Sequence, residues 1–329
     1  MAQAHIWSGR KLHPSALAVL EGLATVSVSS VGELNDWYEE ASTADAILLR
    51  GTTTITGEVM DRIGPRLRII ARTGIGIDRI DLEAATRRGI MVVNTPDGPT
   101  ESTAEHAIAL LLNLCKQVMV GDRILRSGRP FPLYAHLPLG LETAGAVLGL
   151  VGLGRIGSRV ATIARVLGMK VLAYDPFIKA ERAAELGVEL VPSLEELLPQ
   201  ARVVSLHCPA MPETYRIINA ETLKLMPGGS YLINVARGAL IDHDALLEAL
   251  RSGHIAGAGL DVFDPEPPQA NHPLFSLPNT ICTPHIGSYT AASVERMQVM
   301  ACEEIARALR GEHPINLVNA GVWGHQRLL

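Results

Sequence analysis

The sequence predicts an α/β protein with two doubly wound parallel sheets, one domain being inserted into the other. Three observations support this prediction. Short apolar runs alternate with helix-like stretches, as strands and their covering helices do in parallel sheets. The alternation stops near residue 94 at a connector rich in proline and glycine, and a second alternating series follows it. The chain has 329 residues, 47% of them apolar, which is enough for two hydrophobic cores.

The first series supplies five predicted strands with helices between them. It ends at "NTPDGPTES", where two prolines and a glycine occupy one connector. Ser102 and Glu105 then form a capping-box pattern before the apolar "AIALLLNLCKQV", so a helix and a new unit are predicted to begin there. The predicted strands are "AHIW", "ATVSVS", "ADAILLR", "LRIIAR" and "IMVVN", and the helix-like stretches include "PSALAVLEGL" and "DLEAATRRG".

The second series predicts another parallel sheet, and a final helix follows it over about residues 289–310. The last segment is too short to form a domain, and the first sheet lacks a helix to close it. We therefore expect residues 1–99 and 289–329 to form one domain and residues 100–288 to be inserted into it. The strands predicted in the inserted domain are "AVLGLVG", "KVLAYD", "VELV", "ARVVSLH", "GSYLINVA", "AGAGLDVF" and "NTICTP".

Composition and charge narrow the classes of partner and site. A formal net charge of −5 without a basic block argues against nucleic acid. No apolar stretch approaches the roughly 20 residues of a membrane span, and no targeting segment is recognised at the start. We therefore expect a small-molecule substrate. The cysteines are scattered singly, so we expect no metal site and no disulfide, and a cytoplasmic protein fits best. These cysteines are Cys115, Cys208, Cys282 and Cys302.

The stretch "LVGLGRIGSRV" contains the pattern G-x-G-x-x-G between a predicted strand and a predicted helix. Gly152 suits the tight turn, Gly154 permits close backbone approach, and Gly157 permits tight packing of the helix on the strand. The N–H groups of Arg155 and Ile156 would then meet a pyrophosphate at a helix N-terminus, where the helix dipole favours negative charge. The alternative is a chance match in an ordinary α/β domain, since tight turns also select glycine.

Asp175 ends the next predicted strand, near the spacing expected for the carboxylate that binds the ribose of a dinucleotide. A carboxylate there accepts hydrogen bonds from both ribose hydroxyls but repels a 2′-phosphate. The residues after it, 176–178, supply no cation. The sequence therefore favours NAD over NADP as the cofactor.

Four polar residues follow predicted strands of the inserted domain: Arg237, Asp261, Glu266 and His285. Taken singly, the arginine could be a surface residue, the glutamate a turn residue and the histidine a helix cap. Together they fit hydride transfer to a 2-oxo acid, because an arginine fork binds a carboxylate and a histidine exchanges a proton near neutral pH. A carboxylate beside such a histidine favours its protonated form. Ligands of open α/β sheets bind beyond the carboxyl ends of strands, so we expect these groups to converge.

The motifs "GLGRIG", "NVARGALID", "DVFDPEP" and "TPHIGS", in this order, resemble those of the D-isomer-specific 2-hydroxyacid dehydrogenase family, which includes phosphoglycerate dehydrogenase. The resemblance extends over nearly the whole chain, including "ARTGIGIDRIDLEAATRRGI" and "NTPDGPTESTAEHAIALLL". It implies a Rossmann NAD-binding domain inserted into a flavodoxin-like substrate domain. It also implies a homodimer formed through an arm, and the apolar connector at about residues 126–142 is the predicted arm.

The resemblance also implies roles for individual residues. Arg237 would bind and polarise the substrate, His285 would exchange the proton, and Glu266 would orient His285. The turn at residues 74–76, made of Gly74, Ile75 and Gly76, would receive the substrate carboxylate through its N–H groups. His207 would line the cofactor, although a buried structural histidine is an equal alternative. The full set of cofactor positions is Gly152, Gly154, Arg155, Ile156, Gly157, Asp175, His207, Cys208, Val235, Ala236, Asp261 beside the nicotinamide carboxamide, and Gly287.

The resemblance leaves the substrate open. Arg50 and Arg72 end consecutive predicted strands and resemble arginines of the phosphoglycerate branch, so they would bind a phosphate or a second carboxylate; the alternative is two solvated strand ends. 3-Phosphoglycerate, hydroxypyruvate, glyoxylate, longer 2-oxo acids and phosphite remain candidates. We expect no feedback regulation, because "INLVNAGV" nearly ends the sequence and long relatives carry regulatory domains after it. A second class is a corepressor-like protein that senses NAD and turns over weakly.

Overall fold

The computed structural model describes residues 3–30, 37–50, 53–128 and 139–327. The chain divides into two compact units. The first combines Met1–Pro99 with Tyr289–Leu329, and the second is Thr100–Ser288. Within the described part, no helix combines the length and apolarity that crossing a bilayer requires.

Strands and helices alternate along most of the chain. The strands are β1 (Ala4–Ser8), β2 (Ala24–Val28), β3 (Ala46–Arg50), β4 (Ile69–Thr73), β5 (Met91–Val93), β6 (Val147–Val151), β7 (Lys170–Tyr174), β8 (Glu189–Leu190), β9 (Val203–Leu206), β10 (Ser230–Asn234), β11 (Ile255–Leu260) and β12 (Thr280–Cys282). The helices are α1 (Pro14–Leu20), α2 (Trp37–Glu40), α3 (Gly57–Ile63), α4 (Leu82–Arg87), α5 (Thr100–Lys116), α6 (Val118–Arg126), α7 (Arg155–Val166), α8 (Ala180–Glu185), α9 (Leu194–Leu197), α10 (Ala220–Leu225), α11 (His243–Arg251) and α12 (Ala291–Leu309).

The first unit is built on a five-stranded parallel sheet in the order β2-β1-β3-β4-β5, which is the flavodoxin-like order. Successive side chains of a strand face opposite sides. Leu48 therefore packs with one apolar cluster and Ile47 with another. The first cluster includes Ile305 of α12, and the second includes Met60 of α3. The C-terminal helix thus covers one face of the sheet that the N-terminal segment forms.

The second unit contains a seven-stranded parallel sheet in the order β12-β11-β10-β9-β6-β7-β8. Counted within the unit, this is the Rossmann order 3-2-1-4-5-6 with one further strand. The strand order reverses between β6 and β9, where open α/β sheets bind their ligands. Helices α5 and α7 pack on one face, and α9, α10 and α11 on the other. The two-sheet α/β fold class predicted from the sequence is confirmed.

Two local predictions have different outcomes. The predicted capping box is wrong, because α5 already begins at Thr100 and Ser102 lies buried inside its first turn. Pro99 precedes the helix directly, and the fixed φ of proline suits a helix entrance. Most of the predicted dimerisation arm, residues 129–138, lies outside the described residues. The homodimer stays a prediction.

Candidate active site

In the glycine turn between β6 and α7, backbone atoms crowd Gly152 and Gly157, whereas the space beside Gly154 is open. Gly152 has φ +95°, and a Cβ added there would lie 2.8 Å from the backbone nitrogen of Cys208. A Cβ on Gly157 would overlap the carbonyl oxygen of Gly152, whereas one on Gly154 would meet no protein atom within 4 Å. Gly154 is also the N-cap of α7 and provides no side-chain cap. This turn fits a dinucleotide pyrophosphate, which needs close backbone approach to a helix N-terminus.

Asp175 lies beside this turn, directly after β7. Its Oδ2 accepts a hydrogen bond of 2.8 Å from the N–H of Leu153, and its Oδ1 accepts one of 2.9 Å from the N–H of Phe177. Each oxygen of a carboxylate has two lone pairs, so both can accept from a ribose hydroxyl as well. The structure therefore holds this carboxylate beside the glycine turn, and its ribose-binding role stays a prediction.

His207 follows β9 on the other side of the reversal point. Its backbone N–H donates to the carbonyl of Val151, and its ring Nε2 lies 2.9 Å from Oγ of Ser205. Its Nδ1 is buried and has no hydrogen-bond partner in the described part of the chain. Burial lowers the pKa of His207 to about 3, so the ring is neutral at physiological pH. A Cβ on Gly157 would lie 3.5 Å from the Cβ of His207, which places the base of this side chain beside the glycine turn.

Cys208 and Val235 occupy neighbouring strand ends of the same sheet. Cys208 is half-buried, and burial raises the pKa of its thiol to about 11. Val235 is buried directly after β10, and the next residue, Ala236, is half-buried. These residues thus supply uncharged surface near the reversal point, which suits a cofactor ring better than a charged group.

His285 and Glu266, two of the three predicted catalytic residues, are in side-chain contact. Nδ1 of His285 lies 3.0 Å from Oε1 of Glu266 and 3.1 Å from Oε2. Because an ionised carboxylate only accepts hydrogen bonds, Nδ1 carries the shared proton and Nε2 is the nitrogen left for exchange with a substrate. The side chain of His285 is 36% exposed, so its ring is reachable.

The backbone around His285 is held by a buried carboxylate. His285 has φ +53°, a left-handed conformation that few residues other than glycine adopt. Its N–H donates to the carbonyls of Asp261 (2.8 Å) and Thr283 (3.1 Å). The Asp261 carboxylate is 1% exposed and accepts from the N–H groups of Ile286 (2.9 Å) and Gly287 (2.8 Å). Asp261 was predicted beside the nicotinamide carboxamide, and the structure shows it as the anchor of residues 285–287.

Two side chains that the sequence did not indicate complete this anchor. The hydroxyl of Thr283 donates to Oδ1 of Asp261 at 2.6 Å, and Nε2 of His106 lies 3.0 Å from that hydroxyl and 3.4 Å from Oδ1. Burial acts to raise the pKa of Asp261, but the hydrogen bonds from His106, Thr283 and the two loop amides together lower it. Thr283 could have been noticed inside "TPHIGS", whereas His106 is too distant in sequence for any local pattern to link it.

Arg237 follows β10, the strand beside β11. It is half-buried, and its Nη1 donates to the carbonyl of Ala236 at 2.7 Å. The side chain of Asn234 donates to the carbonyl of Arg237 at 2.8 Å. A Cβ on the next residue, Gly238, would overlap the backbone of Phe263, so the two strand ends approach closely. Adjacent strands therefore carry the arginine, Glu266 and His285, as the sequence predicts.

The first unit holds the other residues predicted to bind substrate, Arg50, Arg72 and the turn at residues 74–76. The N–H of Gly74 donates to Oγ1 of Thr95 at 2.7 Å, and the carbonyl of Ile75 accepts from the side chain of Asn94. Gly74 has φ +123°, a conformation that requires glycine. Its amide is thus engaged within the protein, and the predicted carboxylate binding depends on the amides of Ile75 and Gly76.

Arg50 and Arg72 have different surroundings, although the sequence places them alike. Arg72 is 2% exposed, and its Nη1 donates to the carbonyls of Arg50 and Thr53, both at 3.3 Å. The guanidinium carbon of Arg50 lies 4.2 Å from the ring centroid of Tyr289, a cation–π geometry. Arg72 therefore supports the backbone after β3, and Arg50 is the more accessible cation of the two.

Comparison with known proteins identifies the family. Residues 108–287, more than half of the chain, match the family model described as D-isomer specific 2-hydroxyacid dehydrogenase, NAD binding domain. The chain belongs to the D-isomer specific 2-hydroxyacid dehydrogenase family. The predicted family and the nicotinamide dinucleotide class of cofactor are thereby confirmed. The roles of single residues stay predictions.

Three relatives show the range of the family. The chain is 39% identical to a D-3-phosphoglycerate dehydrogenase of Methanocaldococcus jannaschii over 94% of its own length, but it spans only 58% of that protein. It is 44% identical to a glyoxylate reductase of Pyrococcus furiosus, with 86% of this chain and 85% of that protein covered. A structure of D-lactate dehydrogenase from Aquifex aeolicus, complexed with NAD and lactic acid, is similar with a TM-score of 0.82 and 33% identity, covering 96% of this chain and 99% of that one.

Proposed function

We propose that this protein transfers a hydride between NAD(H) and a D-2-hydroxy acid/2-oxo acid pair. The observation that carries the proposal is the His285–Glu266 pair, with Nδ1 held at 3.0 Å and Nε2 left for exchange, in the same unit as the glycine turn. An acid–base histidine and a dinucleotide cradle in one domain are what such a reaction needs. Membership of the family and the similarity to three 2-hydroxyacid enzymes support it.

Separate residues of the chain bind the cofactor, bind the substrate and transfer the proton. NADH, when bound, supplies the hydride. The turn at residues 152–157 holds the pyrophosphate and Asp175 the adenosine ribose. Arg237 binds the substrate and polarises its carbonyl, and Nε2 of His285 donates a proton to the oxygen that becomes the alcohol. Glu266 keeps the proton-bearing Nδ1 fixed and stabilises the charged ring, and in the oxidation direction His285 removes the same proton.

We propose a small unphosphorylated 2-oxo acid, such as glyoxylate or hydroxypyruvate, as the substrate. Arg72, one of the two predicted phosphate ligands, is buried and donates to backbone carbonyls. A guanidinium used in this way is poorly placed to bind a phosphate dianion. The mutual coverage of more than four fifths with the glyoxylate reductase supports the same choice.

The proposal is tested by following NADH oxidation with glyoxylate, hydroxypyruvate, pyruvate, 2-oxoisocaproate and 3-phosphohydroxypyruvate, and repeating the series with NADPH. We expect the highest kcat/KM with one of the unphosphorylated acids and NADH. Preference for the phosphorylated acid would overturn the substrate proposal and leave the reaction class intact. Tight NADH binding with negligible turnover on every acid would instead favour the corepressor-like alternative.

We also propose that the protein is a homodimer through the surface that includes α6. None of the described side chains of α6 is buried, and Val118 and Leu125 are 55% and 69% exposed. Apolar side chains exposed on one helix favour a protein partner. Light scattering on the purified protein checks this, with a dimer mass expected and a monomer mass for Leu125→Asp.

A further inference from the structure

We infer that His106 is a positioning residue for the proton-exchanging histidine, acting through Thr283 and Asp261. This inference rests on the proposed function only in taking His285 as the group that exchanges the proton. The contacts that carry it lie entirely within the second unit.

The donors and acceptors of this network run in one direction. The hydroxyl of Thr283 gives its proton to Oδ1 of Asp261, at 2.6 Å. The oxygen of that hydroxyl is therefore left to accept, and Nε2 of His106, 3.0 Å away, must be the donor. His106 thus holds the hydroxyl in the rotamer that completes the Asp261 carboxylate. Linked hydrogen bonds of this kind strengthen one another when buried.

The network has a mechanical consequence for His285. Oδ1 and Oδ2 of Asp261 hold the amides of Ile286 and Gly287, and the backbone carbonyl of Asp261 holds the amide of His285. Three consecutive amides are therefore attached to one residue. A left-handed φ at a non-glycine residue persists only where its surroundings determine it, and these hydrogen bonds do so at His285.

His106 connects this loop to a rigid element. It lies on α5, a helix of 17 residues whose apolar side chains pack in the core of the second unit. The loop also rests on it, since a Cβ on Gly287 would lie 3.6 Å from Cδ2 of His106. The side chain is 19% exposed, so its hydrogen bond is largely shielded from competing water. Removing the ring would release Thr283 and let residues 285–287 relax away from the geometry that Glu266 requires.

The experiment compares three variants of the full chain. His106→Leu removes the donor, and His106→Gln restores an N–H at the position of Nε2. His254→Leu is the matched control, because His254 is a half-buried histidine of the same unit whose Nε2 bonds the carbonyl of Leu223. For each protein we would measure kcat and KM for the preferred acid, the NADH dissociation constant, the melting temperature, and hydrogen–deuterium exchange of the peptide that contains Ile286 and Gly287.

For His106→Leu we expect kcat to fall about 10- to 100-fold, as for a reacting group displaced by about 1 Å, with an unchanged NADH dissociation constant. Exchange of the 286–287 amides should become faster. His106→Gln should recover most of kcat and of the protection, and His254→Leu should lose melting temperature while kcat is retained. Wild-type kcat or unchanged exchange in His106→Leu would overturn the inference, as would a glutamine variant no better than leucine. If the wild type lacks turnover on every acid, the proposed function fails, and the exchange data still decide the role of His106.

Discussion

The glycine turn at residues 152–157 and the histidine loop at residues 283–287 both follow parallel strands of the second unit, yet they keep their shapes by different means. The glycine turn depends on the absence of side chains, because a Cβ on Gly152 or Gly157 would meet backbone atoms. The histidine loop depends on the presence of a side chain, the Asp261 carboxylate that anchors its amides. The first loop is therefore determined mainly by glycines that lie close to other backbone atoms, and the second mainly by a buried carboxylate and its side-chain partners.

The difference corresponds to what each loop has to do. A pyrophosphate is bound by backbone N–H groups, so its loop needs close approach and little else. A histidine that exchanges a proton needs a fixed ring, and His285 also has a left-handed backbone, so its loop needs anchors that hold it without touching the substrate. Variants in the two loops should therefore affect different measurements.

The largest expected effect is on turnover, in the histidine loop. His285→Ala removes the proton donor while the glycine turn and Asp175 stay intact. We expect kcat to fall about 10²- to 10⁴-fold, the usual contribution of general acid–base catalysis, with NADH binding retained. Steady-state kinetics and a fluorescence titration with NADH check this. Turnover at the wild-type rate would show that another group donates the proton.

Asp261→Asn tests the anchor of the same loop. The amide nitrogen of asparagine would face either the N–H of Gly287 or the two donors on Oδ1, so at least one buried donor loses its acceptor. We expect the free energy of unfolding to fall by about 1–3 kcal/mol and kcat to fall with it. Urea denaturation and kinetics measure the two. A weaker NADH complex in addition would support the nicotinamide contact predicted from the family resemblance, and unchanged stability would contradict the anchoring role.

Gly157→Ala and Gly154→Ala separate shape from binding in the glycine turn. The first adds a Cβ that overlaps the carbonyl of Gly152, and the second adds one where no protein atom lies within 4 Å. We expect Gly157→Ala to lose about 1–3 kcal/mol of stability, as other overpacked sites do. Gly154→Ala should fold like the wild type but bind NADH more weakly, because its Cβ obstructs the pyrophosphate. Equal stability of the two variants would show that the turn adapts to a side chain.

Asp175→Ala tests the choice of cofactor with a smaller expected effect. Removal of the carboxylate deletes the hydrogen bonds to the ribose and the repulsion of a 2′-phosphate. NADH affinity should therefore decrease, and NADPH affinity should increase or stay constant. The preference for NADH over NADPH, expressed as the ratio of the two affinities, should fall. Dissociation constants for both nucleotides measure the ratio. An unchanged ratio would remove Asp175 from the ribose site.

The two loops also show what sequence reasoning can reach. The strands, the glycine turn and the strand-end residues Glu266 and His285 were predictable, because apolar runs, glycine spacing and parallel topology are local or periodic signals. The roles of His106 and Thr283 were not, since their contact joins residues 177 positions apart. The different surroundings of Arg50 and Arg72 were not predictable either, because burial of a strand-end arginine depends on the loops that cover it.

His285 in the histidine loop and His207, whose Cβ lies beside the glycine turn, offer the test with the smallest expected effect. His285 is paired with a carboxylate, whereas His207 is neutral because burial lowers its pKa from 6.5 to about 3. Between these pH values the unfolded chain binds a proton at His207 that the folded protein does not, so stability falls as the pH falls from 6.5 toward 3. The slope from this residue is at most about 1.4 kcal/mol per pH unit. For His207→Asn, we would measure the free energy of unfolding against pH by urea denaturation. The curve should run parallel to that of the wild type above pH 6.5 and decline less steeply below it. Identical slopes would mean that His207 accepts a proton in the folded state.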